Sequence, residues 1–413
     1  MLASFSEPYT TKDGELNPNN PIYIFPDLLE GIFLGLPLKS ILTFKTVSKQ
    51  WRWILESDKF VVRRMSVQKS RKILLAANNC KCGDRPSLFP ESRFEGDQEI
   101  AFLHCDAERP SMAYNGLVCL PEPDWIIVLN PSTGQILRFP SGIDTESSLF
   151  KSMSDEDFLG NCIMGFGRDA VRGSYKVVNI CVGSRIEECD VLDVETGEWK
   201  KVRVPRYVLS VGRRPACVNG SMYWLFLRER SIRPLDYRIL ALDLHKQEFH
   251  IVSVPDTLVT RVTQVVNLDD RLVAARAARV GPECMLEICR MNAEEETWTK
   301  IYSISLASLP ESTRFILYYW PVSVSKQGDL VFYTELDRKL LKYYSKTGEV
   351  RCLSMDMPVI SPYLENLAPL RSQSGHHHHH PGYQTRTSGR CRLFLKHPDP
   401  GLRIITYVRS LWN

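Results

Sequence analysis

Nowhere in this 413-residue sequence do about 18 apolar residues run consecutively, so no helix long enough to cross a bilayer is expected. The first 20 residues lack a basic segment followed by an apolar one, so a secretory leader is not expected either. An excess of charge is also missing. The 52 basic residues are nearly matched by 48 acidic ones, without a dense basic tract, which gives no reason to expect nucleic acid. Outside one run the histidines are few, and His104, His245, His250 and His397 stand at no metal-ligand or nucleophile–base spacing. Gly-x-Ser-x-Gly, Walker and His-Glu-x-x-His motifs do not occur. Gly165-x-Gly167 lacks a third glycine and a following helix, so it reads as a strand turn rather than a phosphate cradle. Of the 12 scattered cysteines only Cys80 and Cys82 are close, and one Cys-x-Cys lacks the second pair a zinc site needs. Buried, reduced thiols in a cytoplasmic or nuclear setting are the expectation, with no metal and no cofactor.

What the chain does have is a compact apolar pattern near its start. Leu28, Leu29, Ile32, Phe33 and Leu36 form one stripe on a helix. Asp27, with Glu30 three residues on, reads as the start signal of a capping box. Pro37 ends this helix and suits the start of a second, whose apolar side is Leu38, Ile41, Leu42 and Phe44. Val47 follows, and Ser48 is placed to cap a third helix with Trp51, Ile54 and Leu55 on one side. Phe60 to Met65 suits a short connecting helix. Three such helices bury little surface alone, which points to apolar side chains left for a partner.

From Arg71 onward the periodicity changes. Lys72–Ala76, Trp125–Leu129 and Tyr175–Ile180 are short, β-branched or aromatic, and bounded by turn residues, so they read as strands. A turn pattern repeats: Leu129-Asn130-Pro131-Ser132-Thr133-Gly134-Gln135-Ile136 resembles Leu192–Trp199 and Leu242–Phe249, with weaker copies at Cys289–Trp298 and Tyr343–Val350. Measured on the last residue, the intervals are 63, 50, 49 and 52 residues. Between them, Asn115-Gly116, Asn219-Gly220, Asp269-Asp270 and Gln327-Gly328 each precede a β-rich run, and Asn-Gly is the strongest short hairpin signal. Two hairpin turns per period imply about four strands per repeat, and a period of about 50 over 66–355 implies a β-propeller of about six blades. A β-sandwich is the alternative all-β architecture. Trp199, Trp224 and Trp298 sit beside the repeat turns, where they pack blades or anchor a partner. Arg203–Arg206, Arg213-Arg214 and Arg228–Arg233 are solvated loops or face an acidic partner.

Phe25–Ile54 resembles an F-box, through Pro26-Asp27-Leu28-Leu29, Leu36-Pro37-Leu38-Lys39-Ser40 and Val47-Ser48-Lys49-Gln50-Trp51-Arg52, in the right order and spacing. Thr46 departs from it where many relatives carry Arg or Cys. Gly165-Phe166-Gly167-Arg168-Asp169 with Tyr175-Lys176-Val177-Val178, the Leu-Asn-Pro-Ser-Thr-Gly segment, and Val218-Asn219-Gly220-Ser221-Met222-Tyr223-Trp224 resemble the F-box-associated domain of plant-type F-box proteins. The resemblance implies a small all-α F-box of three helices followed by an all-β, kelch-like propeller. It covers about 21–370, with the F-box at 21–65 and the propeller at 66–370; the polar, turn-rich residues 1–20 are expected to form a flexible arm, and 371–413 departs from the family as an atypical tail. That tail carries the tract His376–His380 in low-complexity surroundings that favour disorder.

By the same resemblance the chain is a non-catalytic, substrate-recognition subunit of a Skp–cullin–F-box ubiquitin ligase. Its F-box is expected to dock on a Skp-family adaptor, and through it a cullin, by way of Pro26, Leu28, Leu29, Ile32, Phe33, Leu36, Pro37, Ile41, Leu42, Val47 and Trp51. The propeller is expected to hold an unidentified protein substrate, with no role for nucleic acid or membrane. The alternatives are an adaptor-binding module outside ubiquitin transfer, and a propeller enzyme or glycan-binding protein with a helical cap.

Overall fold

The computed structural model describes residues 24–69, 71–79, 87–88, 93–105, 112–121, 125–141, 162–182, 187–205, 208–209, 214–227, 236–280, 283–294, 296–310, 318–334, 338–355 and 359–370, with short stretches at 392–393 and 406–407. The 1–20 arm, Cys80 and Cys82, the His376–His380 tract and nearly all of the tail lie outside them. Within the tail, Arg392–Leu393 and Thr406–Tyr407 pair antiparallel.

Four helices open the chain: α1 Pro26–Leu34, α2 Leu38–Phe44, α3 Lys49–Glu56 and α4 Asp58–Lys69. The expected capping box at Asp27 is not what starts α1. Pro26 occupies the first turn, with Phe25 as a cap that makes no side-chain hydrogen bond. Proline needs no partner for a missing N–H there, and Asp27 instead sits in the first turn, where the helix dipole favours an acid. Glu30 turns inward toward α4, paired with Lys59 at 3.2 Å and with Arg63. Ser48 does cap α3, its Oγ accepting from the Trp51 N–H at 3.1 Å. The helix expected at Phe60–Met65 is the middle of a full three-turn α4.

The remaining strands form six blades. Blade 2 is Met112–Tyr114, Leu117–Pro121, Trp125–Asn130 and Gln135–Pro140; blade 3 is Cys162–Arg168, Tyr175–Val182, Glu187–Asp193 and Trp199–Arg203. In blade 4, Ala216–Val218 and Val208–Leu209 both flank Ser221–Leu227, followed by Tyr237–Asp243 and Glu248–Val252. Blade 5 runs Gln264–Leu268, Arg271–Val280, Glu283–Asn292 and Thr297–Ser305, and blade 6 runs Tyr319–Val324, Leu330–Thr334, Lys339–Tyr344 and Glu349–Ser354. Blade 1 closes the ring from both ends of the chain. Leu74–Asn79 lies between the late strand Val359–Pro362, antiparallel, and Gln98–Cys105, parallel, with Ser87–Leu88 and Arg93–Glu95 outermost. The first strand of each of blades 2, 3, 5 and 6, Ala216–Val218 of blade 4 and Val359–Pro362 of blade 1 adjoin one another in a closed circle.

Blade contacts follow from strand alternation. In blade 1, Ile73 and Leu75 face Val118, Leu120, Ile127 and Leu129 of blade 2, while Leu74 and Ala76 face Val331 and Tyr333 of blade 6. Each of the other four boundaries has its own buried apolar cluster. Blade strands covered on both faces read as continuous apolar runs, as in Leu117–Pro121, rather than alternating ones.

Both families of turn lie where the repeats place them. Asn115 and Gly116 (φ 47° and 78°), Asn219 and Gly220 (47° and 80°), and Asp269 and Asp270 (53° and 60°) are left-handed pairs, as a type I′ hairpin requires. Gly165 and Gly167 are not a turn, contrary to the sequence reading. They lie inside the innermost strand of blade 3, and a Cβ would come within 2.0 Å of Met222 Sδ at Gly165 and 2.3 Å of Cys217 Sγ at Gly167. The glycines admit blade 4 at close range. Cys119, Cys189, Cys217, Cys284, Cys289 and Cys352 are free thiols. Burial pushes Cys217 up to about 11 and Cys189 up to about 12, so both stay protonated and pack as small apolar groups.

Candidate functional site

The structure divides the eleven side chains expected on the docking face. Leu29, Phe33 and Ile41 are buried in one cluster with Ile54, Leu55, Phe60 and Val61, so they hold the helices together. Leu36, Leu42 and Trp51 are half-buried against it. The Trp51 ring meets Phe33 and Phe44 edge-on, with centroids 5.2 Å away in both cases, tying α3 to α1 and α2. Pro26, Leu28, Ile32, Pro37 and Val47 remain exposed. Leu28 is 60% and Ile32 48% exposed, and Phe25, which the sequence reading did not include, is 69% exposed. Leu28 and Ile32, four apart, form an apolar stripe on the outer side of α1, and Phe25 at its cap adds exposed apolar surface at the start of the helix. Val47, 57% exposed, adds to the apolar surface between α2 and α3. Trp53, at 73%, is the most exposed large apolar side chain among the described residues and lies on the side of α3 away from Ile54 and Leu55. The stripe's i, i+4 partners Leu28 and Ile32 are legible in sequence, but which member of Leu28-Leu29 faces outward depends on where α4 packs.

The carboxyl of Glu30 underlies this stripe. Burial raises its proton affinity, but the hydrogen bonds and charges of Arg63 and Lys59 outweigh that and hold it below the ordinary carboxylate value. It is therefore ionised and fixes α1 against α4.

The helices are mounted on the end of the propeller that carries the tight turns. The strand Val359–Pro362 continues as 363–370, which crosses this end. Tyr363 Oη lies 2.9 Å from Ser132 Oγ, Asn366 Nδ2 donates to Asn115 O at 3.0 Å, and Asn130 Nδ2 donates to Asn366 O at 2.8 Å. From the other side, Arg64 of α4 reaches Glu365, its Nε donating to Oε2 at 2.9 Å and its Nη1 to Leu36 O at 3.0 Å. Gln68 Nε2 donates to the same Glu365 oxygen at 2.5 Å. Arg64, Gln68 and Glu365 are all buried. Leu367, 1% exposed, completes the helical core. Lys69 and Lys72 pair with Asp270 and Asp269 of the blade 5 turn, and Arg71 with Glu99 of blade 1 at 2.9 Å. At the opposite end the strands terminating at Pro121, Val182, Leu227, Val280 and Thr334 lead into 122–124, 183–186, 228–235, 281–282 and 335–337, outside the described residues.

The tryptophans beside the turns pack blades. Trp199 Nε1 donates to Pro140 O at 3.0 Å across the boundary of blades 2 and 3, Trp298 Nε1 donates to Ser253 O at 2.9 Å, and Trp224 is buried. His245 Nδ1 lies 3.2 Å from Asp169 Oδ2 and joins the turns of blades 4 and 3. Of the arginine-rich stretches, Arg206, Arg213 and 228–233 lie outside the described residues, and Arg203 is exposed on the outer strand of blade 3. No helix among the described residues is long and apolar enough to cross a membrane.

A small helical domain with an exposed apolar stripe, carried on a six-bladed propeller, defines the class of molecule. The family described as the F-box associated beta propeller domain matches residues 91–353. An F-box/LRR-repeat protein of Arabidopsis thaliana is 52% identical over 97% of this chain and 94% of its own length. An F-box/kelch-repeat protein of the same plant is 49% identical over 92% of each. The chain belongs to the plant F-box proteins with an F-box-associated β-propeller domain.

Proposed function

We propose that this chain is the substrate-recognition subunit of a Skp–cullin–F-box ubiquitin ligase, working in the cytoplasm or nucleus. The observation that carries the reading is the exposed apolar pair Leu28 and Ile32 on α1, with Phe25, Pro37 and Val47 also exposed, on a helical domain of this family. Exposed apolar area of this kind is costly unless a partner covers it, and a Skp-family adaptor is the partner the family implies. The tight-turn end of the propeller is occupied by the helices, which leaves the other end for the protein to be ubiquitinated. The chain performs no bond chemistry in this scheme. It raises the effective concentration of a substrate lysine near the ubiquitin-loaded enzyme by holding both on one body.

Co-purification of a Skp-family adaptor and a cullin with the intact chain tests the assignment, beside a Leu28→Asp, Ile32→Asp variant. The reading predicts that both proteins follow the intact chain and that both are lost together with a folded variant. Adaptor capture without cullin would favour a role outside ubiquitin transfer, and capture of neither would end the ligase reading.

A further inference from the structure

Arg64 and Glu365 are 301 positions apart in the chain, yet each is the buried charged partner of the other. Leu367 stands in the same apolar cluster as Leu29, Phe33, Ile41 and Leu55. The helical domain is therefore not a closed unit in residues 24–69. Its core lacks a wall, and Arg64 lacks its counter-charge, until the segment 363–370 is in place. That segment directly follows Val359–Pro362, the innermost strand of blade 1, which pairs with Leu74–Ala76 and adjoins the first strand of blade 6 where the ring closes. A buried guanidinium without its carboxylate is strongly unfavourable, so α4 cannot seat stably on the propeller without Glu365. Arg64 also donates to the carbonyls of Leu34 at 3.4 Å and Leu36 at 3.0 Å, so its seating fixes the end of α1, the helix that bears the exposed stripe.

We infer that the 363–370 strap makes presentation of the adaptor-docking face conditional on closure of the propeller. An unfinished or unclosed chain would hold the F-box residues in a loose form. Only a chain with a complete substrate-binding body would engage the adaptor firmly, which keeps incomplete receptors from occupying it. Glu365 and Leu367 act here as positioning residues, since neither is on the outer stripe of α1. The inference rests on the adaptor-docking reading above.

The test uses the full-length chain and its Glu365→Ala and Leu367→Ala variants, with Arg351→Ala on the outer strand of blade 6 as a control. Two readouts are taken: amide hydrogen exchange of α1–α4 against that of blades 3–5, and affinity for a purified Skp-family adaptor. The expected result is faster exchange in α1 and α4 with blades 3–5 unchanged, and an adaptor affinity at least about tenfold weaker for both strap variants. Unchanged helix exchange in both variants would overturn the inference. So would full adaptor affinity despite faster helix exchange. If the intact chain binds no adaptor, the docking reading fails and takes conditional presentation with it; the exchange readout then still decides whether the strap completes the helical fold. If a variant loses protection in blades 3–5 as well, Glu365→Gln, which keeps an acceptor for Gln68 and Arg64, replaces it. Exchange and affinity matching the intact chain in that variant count against the inference, and loss confined to the helices counts for it.

Discussion

Lys72 pairs with Asp269, and three residues before it Lys69 pairs with Asp270, so consecutive acids of one hairpin turn hold the segment that leaves α4. The corresponding turns of blades 2 and 4 are Asn-Gly, the residues best suited to two positive φ angles. Blade 5 instead places Asp269 and Asp270 at 53° and 60°. A non-glycine residue in this region is less comfortable by about 1 kcal/mol, while an exposed ion pair returns about 0–1 kcal/mol. The acids are thus explained by docking of the helical domain rather than by the needs of the hairpin. Asp270→Gly is expected to leave the chain as stable or stabilise it by up to about 1 kcal/mol. Lys69→Ala should then have no further effect in that background, as read from urea unfolding of the single and double variants.

Replacement of Gly167 by alanine has a different expected outcome. Its Cβ would lie 2.3 Å from Cys217 Sγ and 2.9 Å from Cys217 Cβ, so the clash reaches close to the backbone of blade 4. At Gly165 the nearest atom is Met222 Sδ at 2.0 Å, part of a flexible side chain. Gly167→Ala should destabilise by about 1–3 kcal/mol and more than Gly165→Ala. Cys217→Ala should restore part of the loss, measured as the shift of the urea midpoint at constant m-value.

In blade 5, Glu287 accepts from Arg276 Nη2 at 2.7 Å and from Lys300 Nζ at 2.5 Å, bridging three strands. The hydrogen bond from Lys300 is the largest influence on its carboxyl. Together with Arg276 it outweighs burial and holds the group below the ordinary carboxylate value. A depressed carboxyl contributes its stability above its unfolded value, near about 4, and loses it as pH falls through the folded value. Glu287→Gln should therefore cost about 1–3 kcal/mol at neutral pH. The gap from the natural chain should shrink as pH is lowered below about 4, in denaturant titrations at several pH values.

Much of the propeller is legible in the sequence because hairpin chemistry is local. The turns after Asn130, Asp193 and Asp243 and the Asn-Gly pairs each announce themselves within a few residues. The closure of blade 1 is not legible: Lys72–Ala76 reads as a strand, but Leu74–Asn79 pairs with Val359–Pro362 from the far end of the chain, and no local pattern records such a partner. The same distance hides Arg64–Glu365: either arginine of the pair Arg63-Arg64 in an amphipathic helix reads as solvated. Gly165 and Gly167 look like turn glycines because a strand covered on both faces leaves no alternation to place them. On the F-box, spacing identifies the apolar set, yet burial of Leu29 beside an exposed Leu28 is decided by α4, whose full length the periodicity understates.

The division of that apolar set gives a further expectation. Phe33→Ala and Ile41→Ala remove fully buried side chains and should cost about 2–5 kcal/mol of stability. Leu28→Ala and Ile32→Ala change exposed positions and should leave the thermal transition nearly unchanged.

We propose the outer stripe of α1 as the adaptor-docking face. The most direct measurement is a calorimetric titration of a purified Skp-family adaptor into the intact chain and into an Ile32→Asp variant with an unaltered thermal transition. A one-to-one complex is expected with the intact chain, and at least about a hundredfold loss of affinity with the variant, as for a charge placed in an apolar contact. Equal affinity for both proteins would contradict it and place the adaptor on another surface.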